Sequence, residues 1–228
     1  MKDEGRNECF IVERGGTARF VKRVRAASVF GAIVDAVRGS RGKRAWRAAH
    51  ALARRGIATP RAFALVEEGF LVPMRSTLIV ECLADAKNLG EVAREFAARL
   101  PRRAERARFI EKLGMAVGAL HNEDVDHDDL ATKNFLVRLG DEPQFSVIDL
   151  DAVRGWYTSL PRERILRALM QLDDAPRAVS RADRMRFLVS YEKATKTRYT
   201  REDLAEVRQL LKERFARSKR DYAKSGPR

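Results

Sequence analysis

Cysteine, histidine and the larger aromatics are scarce in this chain of 228 residues, which holds two cysteines, three histidines, two tryptophans and four tyrosines. Cys9 and Cys82 match no metal-ligand spacing, so free thiols in a reducing cytosol are expected. No apolar run approaches the length of a membrane span. Met1 to Asn7 is polar, and no apolar stretch behind a basic start marks a secretory signal. Internal repeats, low-complexity linkers, zinc-finger spacing and an aromatic-rich RNA-binding signature are all missing, so nucleic acid is not an expected partner. Acidic charge is the minority: 46 lysines and arginines face 32 aspartates and glutamates, for a net charge of +14. Arginine is spread along the whole chain, which points to a basic surface meeting phosphates, as nucleotide or as anionic lipid headgroups.

What is present is enough for a folded globular protein. An apolar fraction of 45% is ordinary for a globular protein, and the length suits one large domain or two small lobes. The most informative stretch runs from His127 to Asp151, HDDLATKNFLVRLGDEPQFSVIDLD. Asp129 is followed five residues later by Asn134, then by a hairpin with a Gly140 to Pro143 turn, then by an apolar run that ends in Asp149. The spacing predicts that Asp129, Asn134 and Asp149 converge. One carboxylate would accept a proton from a substrate hydroxyl, while the Asn and the second Asp hold Mg²⁺ against ATP phosphates, because hard Mg²⁺ takes oxygen ligands. A surface hairpin with acidic ends would use the same residue types, since Asp and Asn are common in turns. The full HxDLxxxN pattern followed by apolar-apolar-Asp is far more specific than either half.

Before this stretch, strands are expected at Glu8 to Val12 and Arg19 to Lys22 around Gly15-Gly16, with Lys22 either facing a phosphate or standing as an ordinary solvated strand lysine. A mixed helical pattern runs from Ala26 to Val37, and Gly39 to Gly42 interrupts it. A second helix, Lys43 to Arg55, stripes Trp46, Ala49, Leu52 and Ala53, with Gly56 as its C-cap. Strands follow near Phe63 to Val66 and Thr77 to Cys82. Asn88 with Glu91 reads as a helix N-cap. These features predict a lobe of sheet and helices over residues 1–82 and a mainly helical lobe over 83–228. The helix Arg102 to His121 carries Phe109, Ile110, Leu113, Val117 and Leu120 on one face. Later helices are expected at Arg162 to Leu172, Ala182 to Ala194 and Glu202 to Tyr222, with Ser180 and Thr200 as N-caps and Leu204, Val207, Leu211 and Phe215 as a core stripe.

FVKR around Lys22, KRAWRAAHALARRGIATPRA from Lys43, LIVECL, HDDLATKN, VIDLDAVR and RADRMRFLVSYEKA together resemble the protein-kinase-like superfamily. Within it the chain is most similar to the bacterial lipopolysaccharide kinases, which phosphorylate Kdo or heptose of the inner core. The resemblance runs from about Phe10 to Tyr191. It implies an α+β, bilobal protein-kinase-like fold, with a small antiparallel-sheet N-lobe, short or truncated at its start, and a mainly helical C-lobe. It implies ATP and Mg²⁺ as cofactors, Asp129 as catalytic base, Asn134 and Asp149 as metal ligands, and Lys22 on the nucleotide phosphates. Glu81 to Leu83 would be the hinge that meets adenine, Asp151 a further metal or substrate contact, and His127 a buttress of the catalytic loop. Lys133, like Lys22, is a candidate for offsetting transition-state charge.

Three departures from the family pattern are visible. The helix Lys43 to Arg55 carries no acid to partner Lys22, so the lysine must be held otherwise. Only about seven residues precede the Glu8 strand, so a glycine-rich cover over ATP is expected to be short or absent. Asp128 stands where protein kinases carry Arg, and no APE-like segment follows Asp151, which favours a sugar, lipid or small-molecule hydroxyl over a protein acceptor. The expected enzyme is therefore a cytoplasmic ATP-dependent phosphotransferase at the inner face of the cytoplasmic membrane, with a lipopolysaccharide inner-core sugar as acceptor. The alternatives are a non-catalytic pseudokinase scaffold and a kinase of another small molecule or protein. A transition-metal site at His121, Asp124, Asp126 and His127 is a weaker reading, because the spacing fits no standard ligand pattern.

Overall fold

The computed structural model describes residues 7–26, 28–99, 103–156, 159–172, 179–195, 200, 202–203, 205–206 and 209. In chain order the elements are β1 (Asn7–Arg14), β2 (Thr17–Arg25), α1 (Val29–Arg38), α2 (Arg41–Arg54), β3 (Ala62–Glu68), β4 (Arg75–Glu81) and β5 (Lys87–Asn88). Then come α3 (Leu89–Arg99), α4 (Arg103–Asn122), β6 (Val125–His127), β7 (Phe135–Arg138), β8 (Gln144–Val147), β9 (Val153–Trp156), α5 (Arg162–Leu172) and α6 (Arg181–Thr195). The chain forms two compact units, Met1–Val92 with Lys133–Gly155, and Ala93–Thr132 with Trp156–Arg228. The expected parting at Leu83 is a single cut in the sequence, whereas the first unit runs on to Val92 and takes back residues 133–155.

That unit is built on an antiparallel sheet of order β1-β2-β4-β3. Gly15 and Gly16 turn β1 into β2 with φ of 57° and 71°, the double left-handed geometry that tight hairpins demand and that glycine adopts without strain. Lys22 stands at the centre of the sheet, opposite Cys9 on one side and Leu78 on the other. Both helices begin on a serine: Ser28 Oγ accepts from Gly31 N at 3.1 Å, and Ser40 Oγ from Lys43 N at 3.0 Å.

The break between α1 and α2 is narrower than the sequence implies. Only Gly39 and Ser40 interrupt the helices, and Gly42 lies inside α2. Gly42 is there for packing, because a Cβ would come within 2.8 Å of Ser76 Oγ on β4, to which Gly42 N already donates at 3.2 Å. The buried stripe of α2 is Ala45, Ala48, Ala49 and Leu52; Trp46 is half-buried and Ala53 faces solvent. Ala53 fails the expected stripe because one residue turns the helix by about 100°, away from Leu52. The helix ends as expected on Gly56, where Ile57 N donates to Leu52 O at 3.0 Å and Gly56 N to Ala53 O at 3.1 Å, a Schellman closure.

The β7–β8 hairpin pairs through Phe135↔Val147 and Val137↔Phe145, all four buried. Two bonds fasten it to the loop after α2: Val147 N donates to Ala58 O at 2.9 Å, and Thr59 Oγ1 to Val147 O at 2.8 Å. These bonds tie residues nearly ninety positions apart, and they explain why the hairpin joins the first unit. The expected second strand reaches Leu150, but the observed one stops at Val147 and the chain then turns.

The core of the second unit is the pairing of α4 with α6. Phe109, Leu113, Val117 and Leu120 are buried, as their spacing predicts, and Ile110 partly so. Close approach is permitted by two glycines of α4: a Cβ on Gly114 would sit 2.6 Å from Phe187 O, and one on Gly118 would sit 2.5 Å from Ala194 Cβ. Gly114→Ala should therefore lower stability. A helix gains roughly 1 kcal/mol from Gly→Ala, but overpacking against a backbone carbonyl costs about 1–3 kcal/mol and the neighbour cannot swing away. A fall in the thermal unfolding midpoint of several degrees by circular dichroism is expected; a rise would show that the helices have room.

His121 is buried and its Nδ1 lies 2.7 Å from Tyr191 Oη. Burial pushes its pKa down to about 4, so the ring is neutral at physiological pH. Ser180 and Asp183 exchange bonds at the start of α6, Asp183 N to Ser180 Oγ at 3.2 Å and Ser180 N to Asp183 Oδ2 at 2.9 Å. Thr200 and Asp203 repeat the device, with Asp203 N donating to Thr200 Oγ1 at 3.2 Å. Leu204, Val207, Leu211 and Phe215 lie outside the described residues, as does most of the helix expected over 202–222. Among the described residues no helix is long and apolar enough to cross a membrane.

Candidate active site

In the first unit the end of the hairpin is shaped to present two carboxylates. Ile148 N donates to Asn134 O at 2.9 Å, which keeps the two ends of the hairpin together. Asp149 then adopts a left-handed backbone, φ 59° and ψ 46°, and Ala152 N returns to Asp149 O at 3.0 Å. Asp tolerates this region better than most residues because its short polar side chain can bond locally. Leu150 is buried as the plug of the turn, and Asp149 and Asp151 flank it.

Both aspartates reach Lys22. Lys22 Nζ donates to Asp149 Oδ1 at 2.5 Å and to Asp151 Oδ1 at 2.9 Å. Asp151 accepts on its other oxygen from Arg41 Nε at 2.5 Å. The Asp151 side chain is 5% exposed, against 34% for Asp149. Burial lowers the affinity of Lys22 for its proton, but the charges of Asp151 and Asp149 outweigh it and leave the pKa raised. Burial raises Asp151, and Lys22 followed by Arg41 reverses that, so its carboxyl sits below the usual range. Lys22 and Asp151 are both charged at neutral pH. The question left by the acid-free helix is thereby answered: Lys22 is held from the turn after β8 rather than from α2.

Arg41 escaped the sequence reading. A signal was available, since the first turn of α2 contains no acid while Arg41, Lys43 and Arg44 crowd the end of a helix that prefers negative charge. The turn after β8 packs on α2 and brings the missing carboxylate.

The remaining candidates of this unit are placed as follows. Asn134 is buried and closes a single turn of 3₁₀ helix, Thr132–Asn134, just before β7. Lys133 is exposed, and its carbonyl accepts from Asn88 Nδ2 at 2.6 Å. Glu81 ends β4; its N–H donates to Arg61 O at 2.8 Å and its Oε2 accepts from Arg61 N at 3.2 Å. Leu83 O accepts from Ala86 N at 3.0 Å in the turn that follows.

Asp129 belongs to the second unit, half-buried on a turn after β6. Its N–H points to Nδ1 of the buried His127 at 3.3 Å, so His127 supports the loop as expected. Gln171 of α5 supplies a second support that the sequence reading did not find: its Oε1 accepts from Leu130 N at 2.9 Å and its Nε2 donates to Asp128 O at 2.7 Å. Arg164, also on α5, lies 3.3 Å from Asp128 and 3.5 Å from Asp126.

The weaker transition-metal reading does not survive this geometry. His121 faces Tyr191, His127 faces the Asp129 amide, Asp124 Oδ1 accepts from Leu160 N at 2.7 Å, and Asp126 faces Arg164. Among the described residues no cluster of three or more His, Cys, Asp or Glu has the arrangement of a metal site. The pair Asn134 and Asp149 is a different donor set, all oxygen and only two residues. It fits Mg²⁺, which keeps several positions for water and phosphate.

A model of the "Lipopolysaccharide kinase (Kdo/WaaP) family" matches residues 35–191. The chain belongs to that family. It is a kinase, with the α+β kinase fold expected from its sequence. A solved structure of WaaP in complex with acyl carrier protein is 23% identical, with 93% of this chain and 87% of that chain covered at a TM-score of 0.71. The bifunctional kinase-methyltransferase WbdD is 16% identical, with 85% of this chain and 45% of that one covered at a TM-score of 0.50. At such identities the likeness is one of fold. No curated protein matches the chain.

Proposed function

We propose that this kinase transfers the γ-phosphate of ATP to a hydroxyl of a lipopolysaccharide inner-core sugar, Kdo or heptose. The observation that carries the reading is Lys22 gripped by Asp149 and Asp151 in the first unit, a cation–carboxylate arrangement suited to a nucleotide triphosphate and its ion. Asn134 and Asp149 would hold Mg²⁺, which supplies charge neutralisation at the β,γ-phosphates. Lys22 turns its ammonium to the phosphate oxygens, and Lys133 adds a second positive charge as charge develops in the transition state. Asp129 orients the acceptor hydroxyl and takes its proton. The His127 and Gln171 contacts keep the Asp129 turn in one geometry, so that little reorganisation is needed. Glu81 to Leu83 offers backbone groups to the adenine edge; because the Glu81 N–H is already given to Arg61, the carbonyl of Glu81 and the amide of Leu83 are the groups to expect there. A panel of acceptors tests the substrate class. ATP consumption should rise when inner-core lipopolysaccharide is added and stay at background with a protein acceptor; stimulation by protein alone would contradict it.

An acceptor anchored in lipid also calls for a membrane surface. In the first unit α1 leaves Val29, Phe30, Ile33 and Val37 exposed along one stripe, Phe30 by 75% and Val37 by 85%. Asp35 and Ala36 of α1 share one depression of about 300 Å³ with the β3–β4 turn, whose Phe70 is 98% exposed. A short amphipathic helix with a neighbouring aromatic tip, on a chain of net charge +14, suits the interface of an anionic bilayer. Full burial of a large apolar side chain gives about 1.5–3 kcal/mol, so Phe30→Ser with Val37→Ser should lower binding to phosphatidylglycerol vesicles by at least about tenfold in a sedimentation assay. Unchanged binding would exclude α1 as the contact.

A further inference from the structure

We propose that Asp151 and Arg41 are a positioning pair: Asp151 holds Lys22 in place of the acid that α2 lacks, and Arg41 fixes Asp151. The inference rests on the kinase reading and assigns Asp151 a task different from metal binding. Both of its oxygens are engaged by cations, Oδ1 by Lys22 at 2.9 Å and Oδ2 by Arg41 at 2.5 Å, and the side chain is 5% exposed. A carboxylate so enclosed and so shared has little left to offer an ion. Asp149 differs on each point: its side chain is 34% exposed, and among the described residues its carboxylate is engaged by Lys22 alone, through one oxygen.

The arrangement divides the work between two neighbouring carboxylates. Asp149 can exchange Lys22 for a ligand ion without setting the lysine adrift, because Asp151 retains it. Arg41 makes this retention firm. It sits at the first residue of α2, next to the Ser40 cap, where the helix dipole repels a cation unless a carboxylate compensates. Asp151 is that carboxylate, and the two elements are packed together along the turn after β8. A single ion triad thus registers the strand that carries Lys22, the helix α2 and the turn that carries Asp149. In this chain the helix contributes its N-terminal arginine to an acid from elsewhere, where protein kinases contribute an acid to the lysine directly.

The test is a double-mutant cycle read by titration calorimetry with ATP, with and without Mg²⁺, on Asp151→Asn, Arg41→Ala and the double variant. Each single variant should weaken ATP binding about tenfold. The double variant should match the singles, because one broken link already releases Lys22. The enhancement of ATP binding by Mg²⁺ should persist in all three, and Arg41→Lys should recover most of the loss. Abolition of the Mg²⁺ enhancement by Asp151→Asn would make Asp151 a metal ligand and overturn the proposal. Losses that multiply to about a hundredfold in the double variant would overturn it too. If the wild type binds no ATP, the kinase reading falls, and the same cycle on the unfolding midpoint of the ligand-free protein decides the pair: a double variant no less stable than the worse single supports it, and additive losses refute it.

Discussion

Asp129→Asn is expected to abolish phosphate transfer while nucleotide affinity stays near that of the wild type. An amide cannot accept the hydroxyl proton, and removing a general base typically costs about 10²–10⁴ in rate. The substitution is nearly isosteric. The contact that fixes this turn uses the Asp129 N–H and His127, and Gln171 holds the neighbouring residues, so the loop should survive. Single-turnover kinetics beside ATP titration separate the two effects. A variant that keeps most of its kcat would remove Asp129 from the role of base.

Asp149→Ala should eliminate the Mg²⁺ dependence of nucleotide binding, because the most exposed carboxylate of the cluster and its only charged candidate for direct metal contact is gone. Alanine carries a second penalty here: the left-handed conformation at φ 59° costs a residue with a plain Cβ roughly 1–2 kcal/mol. Asp149→Asn isolates the charge, since Asn tolerates that backbone. Both variants should bind ATP equally with and without Mg²⁺ in calorimetry, and both should remain folded, with Lys22 still on Asp151. Retention of the wild-type Mg²⁺ enhancement in Asp149→Asn would mean that the ion is held elsewhere.

The parts of this fold that were legible in the sequence are those written in short periods and caps. The α4 stripe, the Gly15-Gly16 turn, the Asn88–Glu91 and Ser180–Asp183 caps and the hairpin from Phe135 each depend on residues a few positions apart, and each is found. Gly42 was misread because a glycine that breaks a helix and a glycine that lets a helix press on Ser76 look alike until the partner strand is known. The same limit hid the ion triad. Arg41 and Asp151 lie 110 positions apart, as does the logic that joins them, and no local pattern records a pairing at that distance. Gln171 and Arg164 were missed for the same reason: they read as ordinary polar positions of α5 and matter only because the turn around Asp129 lies against them. The His127 support of the Asp129 turn could be read; the Asp151–Arg41 hold on Lys22 and the Gln171 bonds beside Asp129 could not.

The most direct measurement is the mass of an inner-core lipopolysaccharide acceptor after incubation with the protein, ATP and Mg²⁺, run in parallel with Asp129→Asn. Transfer predicts the gain of one phosphate on a Kdo or heptose residue with the wild type and none with the variant. An acceptor of unchanged mass in both, from a protein that binds ATP with Mg²⁺, would contradict the assignment of this acceptor; an equal gain in both would contradict the assignment of Asp129.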